Sequence, residues 1–515
     1  MTNITHRLQE QADALGDQAA LIDRHRGQRR CLTYRELLDA TEAGASLLTR
    51  HGLEPGDTVL FFHPVRIGLY VALLSVLRAG MTAMFIDPSA GRGLIKRCCA
   101  LHQPKAFFGS PKAHLLRLLV PAIRRIQQHY VTGTWLPGAC RWDHTLERTS
   151  TNAVVDCEND HPALITFTSG STGQPKAVAR THRFLLAQHH ALERSLSLKQ
   201  GQVDLITLPV FVLANLASGL TSVLADTDLA KPGAADVDVE AVSQQITEEN
   251  VERVAASPAF LQRLLTESRS IRPIQHVYTG GAPVFPPLLD ALHAAQPTAT
   301  IHGVYGSTEV EPMADLPYDS ITEEDRQAMR SGKGLLVGKP VDEVDLVILP
   351  DQWGHLIESA IPCLANTPGE IAVAGDHVLT GYLHGKGDEE TKFQSAGRTW
   401  HRTGDAGYLD EQGRLWLLGR CSAKIEDTRG TLYPFTVETS LSFMPEIARS
   451  AAIQIGTHRV LALEFADKNT QDLSAIQEAV AWASFDDFKV QTTIPVDRRH
   501  NAKIDYTALR VVLDV

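Results

Sequence analysis

Short apolar runs alternate with longer stretches of helical length through the first four hundred residues. "DTVLFFH" has the nearly continuous apolar run of a buried strand, and "VRIGLYVALLSVLRAG" has the length of a helix closed by glycine. "MTAMFID" and "ALITFTSG" are strand-like again. "VERVAASPAFLQRLLTES" predicts a short strand and a helix, and "IQHVYTGGAP" a strand with a Gly-rich end. This rhythm predicts an α/β fold of layered, mainly parallel sheets. Ligands of such sheets gather at the carboxyl ends of strands, where the Gly-rich stretches fall.

The texture changes twice. From about Gly332, "VDLVILP", "GEIAVAG" and "GRLWLLG" predict a small β-rich subdomain. Beyond Arg420, "ARSAAIQIG" and "HRVLALEFAD" predict a strand pair, and "DLSAIQEAVAWAS" a helix. The expected division is a large N-terminal domain over 1–418, a hinge at 419–422 and a small α+β domain over 423–515. Between Pro111 and Asp156 the pattern predicts nothing definite.

Composition narrows the class. The 515 residues exceed one ordinary core, and 43% are hydrophobic, enough for several buried layers. The net charge of -11 argues against general affinity for nucleic acid or anionic membrane, though it leaves room for a local basic groove. Seven scattered cysteines, odd in number and without a CxxC pair, fit reduced thiols in the cytoplasm. The polar N-terminal stretch lacks the apolar core of a signal peptide. "IGLYVALLSVLRAGMTAMFID" carries Arg78 and reads as a buried helix and a strand rather than a membrane span. "LITLPVFVLANLASGLTSVLA" is interrupted by Pro209 and Asn215 and divides into a strand, a loop and a helix.

The candidate chemistry starts at "TSGSTGQPK", Thr168 to Lys176. Glycines let backbone N–H groups turn inward, and hydroxyls add donors, so the loop suits phosphate oxygens. Its spacing is not that of a Walker A loop. "VYGSTEVEP" places Glu309 at another strand end, where a carboxylate can hold Mg²⁺ beside phosphates. "WHRTGDAGYLD" offers Asp405 as an acceptor for ribose hydroxyls, and Arg420 can supply a cation nearby. "RRHNAKIDY" holds Lys503.

With TSGSTGQPK, YTGGAP, YGSTE, HRTGDAGY, GR and NAKIDY in that order, the chain resembles adenylate-forming enzymes over nearly its whole length. These are the acyl-CoA synthetase, peptide synthetase adenylation domain and luciferase superfamily. The resemblance implies ATP and Mg²⁺ as cofactors and a mobile C-terminal domain. Thr168, Ser169, Gly170, Ser171, Thr172, Gly173 and Lys176 would cover the ATP phosphates. Gly280, Gly281, Ala282 and Pro283 would border the adenine and acyl pocket. Tyr305 would stack on adenine beside Gly306 and Ser307, Thr308 would reach the α-phosphate, and Glu309 would bind Mg²⁺. Asp405 and Arg420 would hold the ribose, and Lys503 would approach the α-phosphate and the substrate carboxylate. Lys503, Glu309, Thr168 and Lys176 are the implied catalytic set.

The second half of the reaction is less uniform in that superfamily. A hinge residue two places after the arginine is typically Asp or Lys; here it is Ser422. "RGTLYPFTVET" replaces the usual glycine and Glu-rich helix that line a thiol tunnel. "FIDPSAGR", "FFGSPKAHLLRLL", "LPVFVLANLASG", "GTLYPFTVE" and "PVDRRHNAKIDY" resemble the olefin β-lactone synthetases. That branch adenylates a β-hydroxy fatty acid, whose own hydroxyl then displaces AMP. Phe211 and Asn215 would line the acyl pocket, with core packing as the alternative. Two other activities stay open: a CoA or carrier-protein ligase forming a thioester, and an inactive acyl-binding relative. His182 is a candidate general base or a hydrogen-bonded structural residue, and Cys421 has no reason to be a nucleophile. The expected partner is a small acyl substrate and no nucleic acid; a large apolar substrate suggests either a membrane-proximal complex or a protein partner, such as a pathway enzyme, that delivers it.

Overall fold

The computed structural model describes residues 3–25, 27–87, 91–142, 153–169, 175–227, 237–267, 271–353, 355, 361–467, 472–496 and 504–513. Two large sheets carry most of it. In the seven-stranded sheet, Thr58–Phe62, Thr82–Phe85, Ala106–Gly109, Gln128–Thr132 and Cys140–Trp142 run parallel, as their apolar runs predict. Pro162–Ser169 extends this sheet in parallel beside Thr82–Phe85, and Pro175–Thr181 folds back on it to form the antiparallel edge. Thr168 and Ser169, which open the phosphate-loop motif, therefore pair with Lys176 and Pro175, which close it.

Ala19–His25, Thr221–Leu224, Val203–Ile206, Arg253–Ala256, His276–Gly280 and Thr300–Ser307 form a second parallel array. Its helices are amphipathic or buried. Ile67–Arg78 is buried along its whole length, so Arg78 needs a partner, and its Nη2 donates to Glu42 Oε1 at 2.7 Å. The next helix, Tyr34–Arg50, starts with a reciprocal Thr33–Glu36 cap.

Two expectations are corrected here. The β-rich stretch beyond Gly332 belongs to the same fourteen-stranded sheet as the parallel array. The hairpin Thr300–Ser307/Val310–Pro317 reverses the chain, which leaves an antiparallel edge for Leu335–Pro340 to join. Leu415–Arg420, Arg398–Leu409, Gly369–Ala374 and Asp345–Leu349 follow in antiparallel order, Lys392–Ser395 pairs beside Arg398–Leu409, and Gln28–Thr33 closes the other end of the sheet. The second correction concerns the apolar stretch from Leu205 to Ala225, which is strand, helix and strand. Phe211–Ala217 is only seven residues long, and Gly219, at φ +76, turns the chain into the fully buried strand Thr221–Leu224.

The C-terminal region has its own small core. A hairpin, Ile425–Asp427 with Gly430–Leu432, leads into the helix Pro434–Leu441. Ile447–Ile455, His458–Phe465 and Asp487–Val490 form a three-stranded sheet. Val437, Leu441, Leu461, Leu463 and Ile476 pack between helix and sheet, each contributing roughly 1.5–3 kcal/mol. Arg459 grips Asp427 through two bonds of 2.8 and 2.9 Å and ties the hairpin to that sheet. The whole is an α/β chain with a large N-terminal part and a smaller C-terminal one. All seven cysteines are free. No described helix is long and apolar enough to cross a membrane.

Candidate functional site

Three of the polar motifs come together where the two sheets approach. The base of the phosphate-loop hairpin is the pair Thr168 and Lys176, directly opposite each other across the strands. Gly170, Ser171, Thr172 and Gly173 lie outside the described residues, as does Lys503. Lys176 is largely covered. Its Nζ donates to Glu390 Oε2 at 3.0 Å and lies 5.4 Å from the centre of the Tyr382 ring. Gly387, at φ +100, makes this possible: a Cβ there would stand 2.7 Å from Lys176 Nζ.

Tyr382 carries the connection onward. Its hydroxyl donates to Glu309 Oε1 at 3.0 Å. Lys392 sits over the same ring, 5.5 Å from its centre, and its Nζ donates to the Leu379 carbonyl. The Leu379 amide in turn donates to the Glu309 carbonyl at 2.8 Å. Tyr382 is thus attracted to two ammonium groups through its ring and fixes a carboxylate with its hydroxyl. Burial lowers Lys392 to about 8, and Lys176 pushes the same way, while Glu309 and Asp388 oppose it.

Glu309 stands in the turn between Thr300–Ser307 and Val310–Pro317. Tyr305, four residues earlier, donates from its hydroxyl to Asp405 Oδ2 at 2.7 Å. Arg420 faces Asp405 from the neighbouring strand and reaches Oδ1 at 3.1 Å. Its Nη1 also donates to the Thr403 carbonyl at 3.0 Å. The Asp405 amide donates to the Thr403 hydroxyl, so the carboxylate is positioned from its own backbone. Burial and the Asp405 charge raise Tyr305 well above its ordinary range, so the phenol stays a donor.

His401 reports the combined field. Burial first, then Lys392, with Lys176 and Arg420 further down, hold its imidazole well below the usual range. Three cations from three separate motifs therefore act on one interior point. That is the electrostatic requirement for gathering phosphate oxygens.

Other residues take different places. Gly280 lies so close to the next strand that a Cβ would meet the Val304 carbonyl at 2.5 Å. Gly281, Ala282 and Pro283 follow it as an exposed to half-buried rim. Gly306 has little room as well, with the Val310 carbonyl 3.1 Å from a would-be Cβ. Ser307 pairs with Val310 at the turn, and the Thr308 carbonyl accepts from Arg180 Nη2 at 2.7 Å. Phe211 is packed in the core, 5% exposed. The Asn215 amide donates to Asp204 Oδ2 at 3.1 Å and Ser222 Oγ at 3.2 Å, a buried polar network inside the parallel array. His182 accepts the Ile4 amide on Nδ1 at 3.3 Å, and burial lowers it to about 4. It caps the N-terminal helix instead of facing the polar cluster. The buried Cys421 thiol is raised, chiefly by burial, and stays protonated. Ser422 is exposed in the turn that follows Arg420.

Tyr382, Lys392, Arg180 and Glu390 were not foreseen. For all but Arg180 the stretch that holds them is "GYLHGKGDEETKF", where Tyr382 and Lys392 stand ten positions apart around Gly and acidic residues.

Behind the hinge, Asp351 accepts the Tyr433 hydroxyl at 2.8 Å and pairs with Lys424 at 3.3 Å. A cleft of about 770 Å³ opens there, lined by Lys333, Tyr408, Tyr433 and Trp482 among others. It shares no lining residue with the polar cluster.

Residues 8–383 match the family model of the AMP-binding enzyme. The chain belongs to the AMP-binding enzymes. An olefin beta-lactone synthetase of Stenotrophomonas maltophilia is 31% identical to it over 99% of this chain and 97% of that protein. One from Xanthomonas campestris is 30% identical over 93% and 90%. Among solved structures, the amide bond synthetase McbA from Marinactinospora thermotolerans superposes with a TM-score of 0.81 at 21% identity, covering 99% of both chains. O-succinylbenzoate coenzyme A synthetase from Bacillus subtilis, in complex with ATP and a magnesium ion, gives 0.77 at 21%, again over 99% of both. These structures share the fold. This AMP-binding enzyme is an AMP-forming ligase that uses ATP to activate a carboxylic acid as its adenylate.

Proposed function

We propose that this AMP-binding enzyme activates a β-hydroxy fatty acid as acyl-AMP and then closes it to a β-lactone through the acid's own hydroxyl. The observation that carries this reading is similarity along almost the whole chain to two olefin beta-lactone synthetases. The exposed Ser422 at the hinge supports it, because the usual charged hinge residue of thioester-forming relatives is missing there. The large domain would end at residue 418 and the small one begin at 423, with the seam held by Lys424 and Asp351.

In the first step a carboxylate oxygen attacks the α-phosphorus, and the bond to pyrophosphate breaks. Both reactants are anions, so they repel in water. Lys176, Lys392 and Arg420 are already fixed, so little reorganisation is needed to offset the repulsion. Asp405 would accept the ribose hydroxyls, with Tyr305 against the adenine and Thr308 near the α-phosphate. Lys503 would bring a further cation to the reacting oxygens.

Glu309 suits Mg²⁺. One oxygen is taken by Tyr382, while the other has no partner among the described residues, and a hard cation prefers such an oxygen donor. When bound, Mg²⁺ supplies positive charge to the phosphate oxygens. The chain's own part is to hold that carboxylate at a fixed orientation.

In the second step the β-hydroxyl oxygen attacks the acyl carbon and loses its proton, the bond to AMP breaks, and the four-membered ring forms. The nucleophile is tethered, so proximity offsets much of the ring strain. The test is incubation with ATP, Mg²⁺ and a β-hydroxy fatty acid, with and without CoA, followed by mass spectrometry. Lactone in the absence of CoA is expected. A thioester formed only with CoA would replace this reading by a ligase, and no pyrophosphate with a broad acid panel would leave an inactive relative.

A further inference from the structure

Charge is unevenly distributed along this acidic chain. Between residues 88 and 142 there are nine Lys and Arg and not one Asp or Glu, although the whole carries 60 acidic residues in 515. The fold collects this stretch on one side of the seven-stranded sheet. Gly91–Leu101, Leu116–Leu119 and Pro121–Arg124 pack there through Ile95, Cys98, Val120 and Ile123. Cys140–Trp142 is the edge strand beneath them.

Side chains that point outward fall into two kinds. Arg92, Lys96, Arg97, Lys112, Arg124 and Arg125 are exposed, and none has an ion-pair partner among the described residues. Beside them stand Leu115, 56% exposed, Leu118 at 76%, Leu119 at 46% and Trp135 at 71%. Four of the ten exposed large apolar residues among the described residues thus lie in a span of 21 positions. Leucine helix and Trp135 loop are held side by side, because Arg117 Nη1 donates to the Pro137 carbonyl at 3.1 Å. A surface of this size with a cationic surround marks an interaction site.

We propose that this face docks on an anionic lipid surface. Leu115, Leu118 and Trp135 are exposed on a short helical segment and a loop, ringed by cations. Such side chains suit a soft interface, where leucine enters the acyl boundary and tryptophan rests among headgroups. Unpaired cations around them match anionic headgroups, each contributing a charge that salt can screen. The net charge of -11 keeps the rest of the molecule off the same surface. Docking there places the chain where apolar acids partition, whichever acid it takes.

The experiment is flotation of the full chain with phosphatidylcholine vesicles, with and without phosphatidylglycerol. Wild type is expected to float with the anionic vesicles at least roughly tenfold more than with the neutral ones, and to be released at high salt. Arg124→Glu with Arg125→Glu, and separately Leu118→Glu with Trp135→Ser, are expected to lose that partition by a similar factor. Both should keep the wild-type unfolding temperature and the wild-type rate of adenylation on a short soluble acid. Brominated phosphatidylglycerol should quench tryptophan fluorescence in wild type and much less in Trp135→Phe. Equal flotation with both vesicle types, or variants that float as wild type does, would overturn the proposal. So would capture by polyglutamate without flotation, which would assign the face to an acidic protein.

Discussion

Lys176, Lys392 and Arg420 are each held by a carboxylate, a ring or a carbonyl. Arg124 and Arg125, on the outer face of the smaller sheet, are exposed, with no ion-pair partner among the described residues. Both groups are positive, yet they are suited to different tasks. Fixed cations stabilise charge that moves during a reaction, because they need no rearrangement. Free cations in water steer and adhere, and salt weakens them. The distinction comes from their surroundings: Gly387 clears space for Lys176, and Tyr382 gives it an aromatic face.

The largest effect is expected from removing a cation of the site. Lys176→Ala or Lys503→Ala should lower the rate of pyrophosphate release by a factor that corresponds to roughly 3–4 kcal/mol of barrier. Thermal unfolding should shift little for Lys503→Ala. Steady-state kinetics with a fixed acid gives the first quantity and calorimetry the second; normal turnover of Lys503→Ala would remove that residue from the site.

His182 offers a contrast with both groups, since it is fully buried and stacked on His161. Burial holds it at about 4 in the folded chain against an ordinary 6.5. The unfolded chain therefore binds more protons between those values, and stability falls as pH drops from about 6.5 towards 4. The contribution at the lower end reaches about 3 kcal/mol. His129 and His189 are lowered to about 4 as well, so His182→Gln should reduce this part of the pH dependence of unfolding by about one proton's share. A slope identical to wild type would contradict the assignment.

A smaller effect is expected at Tyr382. Tyr382→Phe keeps the ring for both lysines and removes only the hydrogen bond to Glu309. That bond is worth about 1 kcal/mol. Half-saturating Mg²⁺ should rise several-fold with the acid KM unchanged, and direct binding of Mn²⁺ with ATP, followed by electron paramagnetic resonance, should weaken by the same factor. Unaltered metal binding would show that Glu309 needs no such support. The smallest effect belongs to the outer face: Arg124→Glu with Arg125→Glu should change folding stability by less than about 0.5 kcal/mol.

Much of the polar cluster could be read from the chain, since Lys176, Tyr305, Glu309, Asp405 and Arg420 all lie in the quoted motifs. "TSGSTGQPK", "YGSTE" and "HRTGDAGY" each carry a local backbone reason for their glycines, and such reasons survive without coordinates. Gly280 and Gly306 do border strands too closely for a side chain. Tyr382 and Lys392 were hidden because their role lies in contacts with Lys176 and Glu309, more than seventy positions away in sequence. Asn215 was misleading for a similar reason. A polar residue in an apolar run suggests a lined pocket, whereas Asp204 and Ser222 absorb its amide in the core. The basic face escaped notice because its elements are short. Leu116–Leu119 and Pro121–Arg124 have four residues each, too few to show a period.

Isotope transfer tests the central claim most directly. A β-hydroxy fatty acid carrying heavy oxygen at both carboxylate positions is incubated with ATP and Mg²⁺ in the absence of CoA. Attack of that carboxylate on the α-phosphorus, followed by closure through the unlabelled hydroxyl, leaves one heavy oxygen in AMP and one in the lactone carbonyl. Lactone that keeps both labels with unlabelled AMP would contradict the account.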